Sequence, residues 1–201
     1  MPTYFGPRKT ASKLSKLVHK HVNRFATATI LTVVALALAR AAEAKIVYKS
    51  AHVQIANLSS YNFDLNQDGV TDFTISISDY GHIQCEHGGG DTIESAYEMP
   101  ASGNGVVGSP PTWLNKGEEI GPSQTFYGGQ GLLVKEPTCP CQQCTGNNGY
   151  LGLSFQINGE TYYGWMALKV KFLYGGGYNV VETGYAYETV ANTPINAGQT
   201  K

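Results

Sequence analysis

Between Asp64 and Asp72 the chain reads Asp-Leu-Asn-Gln-Asp-Gly-Val-Thr-Asp, which fits D-x-N-x-D-G-x-x-D at every constrained position. A hard cation such as Ca2+ takes about six to eight oxygen ligands on a flexible ring. The side-chain oxygens of Asp64, Asn66 and Asp68, the carbonyl of Val70 and the carboxylate of Asp72 can converge on one ion, because Gly69 permits the sharp turn such a ring needs. Three carboxylates this close together repel one another unless a cation lies between them. The spacing, more than the acidity, therefore predicts a Ca2+ site; the bland reading of the same residues is an Asn/Asp/Gly-rich turn without metal.

The cysteines form a second constellation. Cys85, Cys139, Cys141 and Cys144 are an even number, and in an exported chain that arithmetic predicts disulfides. Three connectivities are possible, and the favoured one joins Cys85 to a member of the 139–144 cluster while the other two pair locally. The rivals are a soft metal site of these thiolates with His82 or His87, and a redox pair at Cys141 and Cys144.

Catalytic patterns are sparse: no G-x-S-x-G elbow, no H-E-x-x-H and no phosphate-cradling glycine loop occurs. Glu94 with Glu98, or Glu118 with Glu119, could in principle supply the carboxylate pair of a polysaccharide hydrolase, although such pairs are usually solvated surface charge. Trp113, Tyr127, Trp165, Tyr185 and Tyr187 could make a sugar-stacking strip if exposed, or fill core and cross-strand positions if not.

The elements that must position these residues read as strands. Val47–Leu58 and Tyr61–Leu65 are strand-like, and Phe73, Ile75 and Ile77 alternate with Thr74, Ser76 and Ser78. The calcium loop is thus entered and left by extended chain. It lacks the flanking helices of an EF-hand, and Ile75 stands where that motif puts its bidentate Glu. Further on, Leu151, Leu153, Phe155 and Ile157 alternate with small or polar residues up to Asn158-Gly159, a two-residue hairpin signal. That turn pairs Ile157 with Glu160, Phe155 with Tyr162, Leu153 with Gly164 and Leu151 with Met166. It also puts Met166, Leu168, Val170 and Phe172 on the core face, with Trp165, Lys169 and Lys171 toward solvent or a second layer. After Gly175-Gly176-Gly177, Tyr178–Val190 reads as a third strand with Tyr185 and Tyr187 on one face. From about His87 to Tyr150 periodicity fails, leaving a loop-rich middle with short strands at Gln124–Tyr127 and Gly131–Lys135.

The first 44 residues read as a signal peptide. Basic residues from Arg8 to Arg24 precede an apolar run, Phe25–Ala39, too short to span a bilayer, and Ala42-Glu43-Ala44 fits a cleavage site. The chain from Lys45 to Lys201 then carries seven lysines, no arginine and fourteen carboxylates, a formal charge of −7. This composition disfavours nucleic acid and favours cations. One domain, 45–201, is expected, with no membrane span once the signal is removed.

Tyr150-Leu151-Gly152-Leu153-Ser154-Phe155, Tyr163-Gly164-Trp165-Met166-Ala167-Leu168 and Gly184-Tyr185-Ala186-Tyr187-Glu188-Thr189 resemble a group of exported bacterial proteins, many of which end in a PEP-CTERM sorting segment. Ile120-Gly121-Pro122-Ser123 and the stretch from Asn192 to Gly198 extend the resemblance over most of the domain. The Asp64–Asp72 loop is similar to the strand-loop-strand calcium loop of FG-GAP repeats and, more weakly, to that of dockerins. The resemblance implies export and a calcium-bearing β fold, and supplies no activity. The expectation is an all-β antiparallel sandwich, secreted to the periplasm or extracellular space, acting as a Ca2+-binding structural or binding module for glycan or matrix. The alternative is a secreted carboxylate-dependent hydrolase.

Overall fold

The computed structural model describes residues 44–84, 90–134, 147–173 and 177–201, of which 79–84 and 90–95 are described by their backbone. The expected leader through residue 43, Cys85, Cys139, Cys141, Cys144 and His87 lie outside these residues, as does the His82 side chain.

The domain is built from antiparallel strands, and no helix occurs among the described residues. Two sheets face each other. One has the order β1 (Ile46–Ile55), β12 (Gly177–Glu188), β11 (Glu160–Leu173), β10 (Asn148–Ile157), β5 (Gly105–Val107) and β8 (Phe126–Tyr127), with β6 (Trp113–Leu114) also on β10. The other has the order β2 (Ser60–Phe63), β3 (Phe73–Gln84), β4 (Gly90–Pro100) and β9 (Gly131–Leu132). Their inner faces share one apolar core. Phe63, Phe73, Ile75, Ile77 and Ala96 come from the smaller sheet, and Leu151, Leu153, Phe155, Met166, Leu168, Val170, Tyr178 and Val180 from the larger. Each fully buried aliphatic or aromatic side chain here contributes about 1.5–3 kcal/mol relative to exposure.

The β10–β11 hairpin has the register its turn dictates: Ile157 faces Glu160, Phe155 faces Tyr162, Leu153 faces Gly164 and Leu151 faces Met166. Asn158 and Gly159 both adopt left-handed backbone, with φ of 53° and 81°, so the turn twists with the strands it joins. The opposite face of the larger sheet meets a second layer. A two-stranded ribbon of β7 (Glu119–Ile120) and β13 (Ile195–Asn196) brings Ile120, Ile195 and Ala197 onto Tyr163, Trp165 and Ala186. The approach is close: a Cβ on Gly152 would stand 2.8 Å from Val107 Cγ2 and 3.2 Å from Ile120 Cγ1.

One expectation needs correction, and one strand carries a feature that the sequence does not show. The middle segment is not loop-rich throughout, because Gly90–Pro100 forms a full strand paired along β3. Its inward positions near the end are Ala96 and Glu98, which give no apolar alternation to read. The shorter strands appear, reduced to Phe126–Tyr127 and Gly131–Leu132. The third strand is found with Tyr185 and Tyr187 on one face, as expected, and it changes phase before them. Register shifts between Ala167 and Leu168, where the partners are Gly184 and Glu182, so Thr183 is an extra residue. Tyr178, Val180 and Glu182 face the core before this bulge, and Tyr185 and Tyr187 face it afterwards.

Candidate metal loop and buried carboxylates

The loop joining β2 to β3 is held by its own acids. Both oxygens of Asp64 accept backbone amides: Oδ1 from Gln67 at 2.7 Å and Asp68 at 3.2 Å, Oδ2 from Gly69 at 2.8 Å. Asp68 Oδ1 accepts the Val70 amide at 2.8 Å, and Asn66 Nδ2 donates to Asp68 Oδ2 at 2.8 Å. Gln67 and Gly69 take positive φ, 63° and 88°, which turns these amides inward. A nine-residue loop without strand pairing thereby replaces ladder bonds with side-chain acceptors.

Asp72 closes the ring from inside. It is 5% exposed; its Oδ2 accepts the Leu65 amide at 2.8 Å, and its own amide donates to the Phe63 carbonyl at 2.8 Å. Burial raises its pKa most, the Leu65 amide opposes that, the charges of Asp64 and Asp68 raise it further, and Asn104 lowers it. The three carboxylates thus share one field.

Asn104 is a residue the sequence reading missed. Its Nδ2 donates to the Asp72 carbonyl at 3.1 Å and lies 3.4 Å from Asp72 Oδ1, while its Oδ1 accepts the Gln156 amide of β10 at 3.0 Å. One buried amide therefore ties the end of the loop to the opposite sheet. Its setting, Ser102-Gly103-Asn104-Gly105, signals only a turn.

The donor chemistry fits a hard cation: three carboxylates and an amide oxygen, with an exposed loop face at Asp68 and Gly69. The Asn66 N–H now sits against Asp68 Oδ2, where a cation would compete for the same oxygen. Among the described residues no three His, Cys, Asp or Glu side chains stand together as a ready metal group. Ion binding would therefore draw the Asp64, Asp68 and Asp72 carboxylates closer.

Of the residues proposed as hydrolase pairs, the Glu94 side chain lies outside the described residues. Glu118 is spent on its own turn, accepting from the amide and Nδ2 of Asn115, both at 3.0 Å, and these bonds lower its pKa. Glu98 is not surface charge. It is 2% exposed, its Oε2 has no hydrogen-bond partner, and burial pushes its pKa up to about 8. Glu182, which no sequence pattern singled out, is fully buried with no side-chain donor to either oxygen, and burial raises its pKa to about 7 against the Gly184 amide.

An exposed aromatic strip is also absent from the expected positions. Trp165 is buried, donating Nε1–H to the Gln199 carbonyl at 2.9 Å, and Tyr185 is buried. Trp113 and Tyr187 pack against the main core, and only Tyr127 of the five is exposed. Trp165 lies in the second layer, whereas Trp113, Tyr185 and Tyr187 belong to the main core on the other side of the larger sheet.

Compared with protein-family models, with curated proteins and with solved structures, the chain matches none.

Proposed function

We propose that residues 45–201 form an exported, calcium-stabilised structural or binding module of the cell envelope or extracellular space. The observation that carries this reading is that Asp64, Asp68 and Asp72 lie in one loop whose backbone amides already orient the carboxylates, and that the charges of Asp64 and Asp68 are felt at Asp72. A divalent cation bound by Asp64, Asn66, Asp68, the Val70 carbonyl and Asp72 would remove that repulsion. It would also fasten the β2–β3 connection to the opposite sheet through Asn104. Stiffening of this kind suits a module outside the cell, where Ca2+ is abundant and weak sites of this class fill.

Glycan or matrix polymers are the proposed partner class. The exposed rings left for such contact are Tyr48, Tyr61 and Tyr127. Among the described residues no helix is long and apolar enough to cross a membrane.

Isothermal calorimetry of chelator-stripped protein tests the metal assignment. Titration with CaCl2 is expected to give one site, with a matching rise in melting temperature. No heat and an unchanged melting temperature in millimolar CaCl2 would leave the loop as a turn only.

A further inference from the structure

The two sheets leave an opening where their edge strands β1 and β2 run past each other. A cavity of about 280 Å³ lies there, beside the calcium loop. Its walls are of two kinds. Ala51 and Val53 of β1 and Phe63 of β2 supply apolar surface, and the rings of Tyr61 and Tyr185 flank it. Asp64 and Gln67 border it from the loop side, and Glu182 lines it from β12, fully buried, with no side-chain donor to its carboxylate and only the Gly184 amide bearing on it.

A buried carboxylate with no side-chain donor is under-satisfied, which costs more than the average hydrogen bond returns, so its persistence beside a cavity calls for a donor from outside. The bulge at Thr183 explains its placement. Without the extra residue, the tyrosines at 185 and 187 would face away from the core and Glu182 would not be followed by a ring on its own side. Lys49, opposite Tyr185 in the register, also lines the cavity; it is exposed and bonds neither Glu182 oxygen.

We propose that this cavity is a binding site for a primary ammonium group on an aliphatic stem, with Glu182 as its acceptor. Methylenes pack on Ala51, Val53 and Phe63, the ammonium donates charge-assisted hydrogen bonds to Glu182, and Tyr61 and Tyr185 offer ring faces to the cation. Asp64 adds a favourable field, which disfavours an anion in the same place. A free amine and a lysine side chain of a partner polypeptide share this chemistry.

The test uses mature protein in saturating CaCl2 and again in chelator, titrated by NMR with n-butylammonium and with Nα-acetyl-lysine methylamide; glucose and butyrate serve as neutral and anionic controls. Both ammonium probes are expected to shift the Glu182, Tyr185 and Ala51 amides. A free-amine site would bind n-butylammonium at least as tightly, and a lysine site the capped lysine. Glu182→Gln should weaken both by roughly tenfold or more, as expected for loss of a charge-assisted bond. Ala51→Leu, which leaves Glu182 in place and fills the cavity, should abolish binding, and Asp68→Ala should leave it intact while removing any calcium response. Equal affinity in Glu182→Gln and Ala51→Leu, or shifts produced by glucose instead of the amines, would overturn the assignment. So would the absence of any shift with either amine, whatever calcium does.

Discussion

Asp72 leads into β3 and Glu98 lies on the neighbouring β4, and the two are almost equally hidden, at 5% and 2% exposed. Their surroundings differ. Asp72 receives the Leu65 amide and lies against the side-chain amide of Asn104, whereas Glu98 leaves Oε2 without a donor. Burial raises the pKa of both, but only at Asp72 do hydrogen bonds pull the other way. A buried carboxylate surrounded by aimed N–H groups is prepared to carry charge, and so to meet a cation. Glu98, raised to about 8 by burial alone, keeps its proton at neutral pH and behaves as a polar core residue. The comparison separates a site from a burden within one sheet.

The largest expected effect comes from Glu98. Its folded-state pKa of about 8 lies above the ordinary 4.5. The stability it contributes is therefore full below about pH 4.5 and is lost as pH rises through about 8. A shift of that size corresponds to a change on the order of 5 kcal/mol across the window. Urea denaturation of wild type and Glu98→Gln from acid to alkaline pH should show the wild type falling relative to the variant. Parallel curves would mean that Glu98 ionises freely and that the contrast with Asp72 is false.

Calcium comes next. An ion bound by the folded state alone, at a hundredfold excess over its dissociation constant, adds about 2.7 kcal/mol. Asp68→Ala removes one carboxylate but keeps Gly69 and its turn, so it should abolish the calcium-dependent rise in melting temperature. A variant that still responds as wild type does would place the ion elsewhere.

Asn104 measures how far the preparation of Asp72 depends on the opposite sheet. Asn104→Ala withdraws the donor from Asp72 and the acceptor from the Gln156 amide, and should cost about 2 kcal/mol in chelator. It should also weaken calcium binding, which calorimetry would detect. Lost stability with unchanged calcium affinity would restrict Asn104 to a structural tether.

How much of this was legible follows from where the information lies along the chain. The β10–β11 register was readable because Asn158-Gly159 fixes the turn and Leu151, Leu153 and Phe155 mark one face. The loop was readable as a spacing of oxygen donors. β4 was not, since its inward side near the end carries Ala96 and Glu98, and neither announces a core face. The phase change at Thr183 was hidden for a related reason: both sides of β12 carry apolar or aromatic residues as well as polar ones, so a shift by one residue leaves no clear mark in the pattern. Asn104 and Glu182 act through partners or cavities far away in sequence, which composition and periodicity do not encode.

The smallest effect separates the two hairpin connections themselves. Gly69 in the acid loop and Gly159 in the β10–β11 turn have similar backbone, φ of 88° and 81°, and a Cβ added at either meets nothing within 4 Å. Sterics with neighbours therefore do not distinguish Gly69→Ala from Gly159→Ala. Each should lose about 1 kcal/mol, the cost of holding an L-residue in left-handed backbone. The Gly159 change should stop there, because its turn is closed by backbone alone. Gly69 differs in that its amide donates to Asp64 Oδ2, so relaxation of its φ tilts that amide and displaces a carboxylate of the ring. Measured in chelator, the two variants should melt at nearly the same temperature; measured in millimolar calcium, Gly69→Ala should fall behind. If the gap between them is the same in both buffers, the loop's backbone does not position its acids for an ion, and the distinction between a structural turn and a binding loop fails at its most local point.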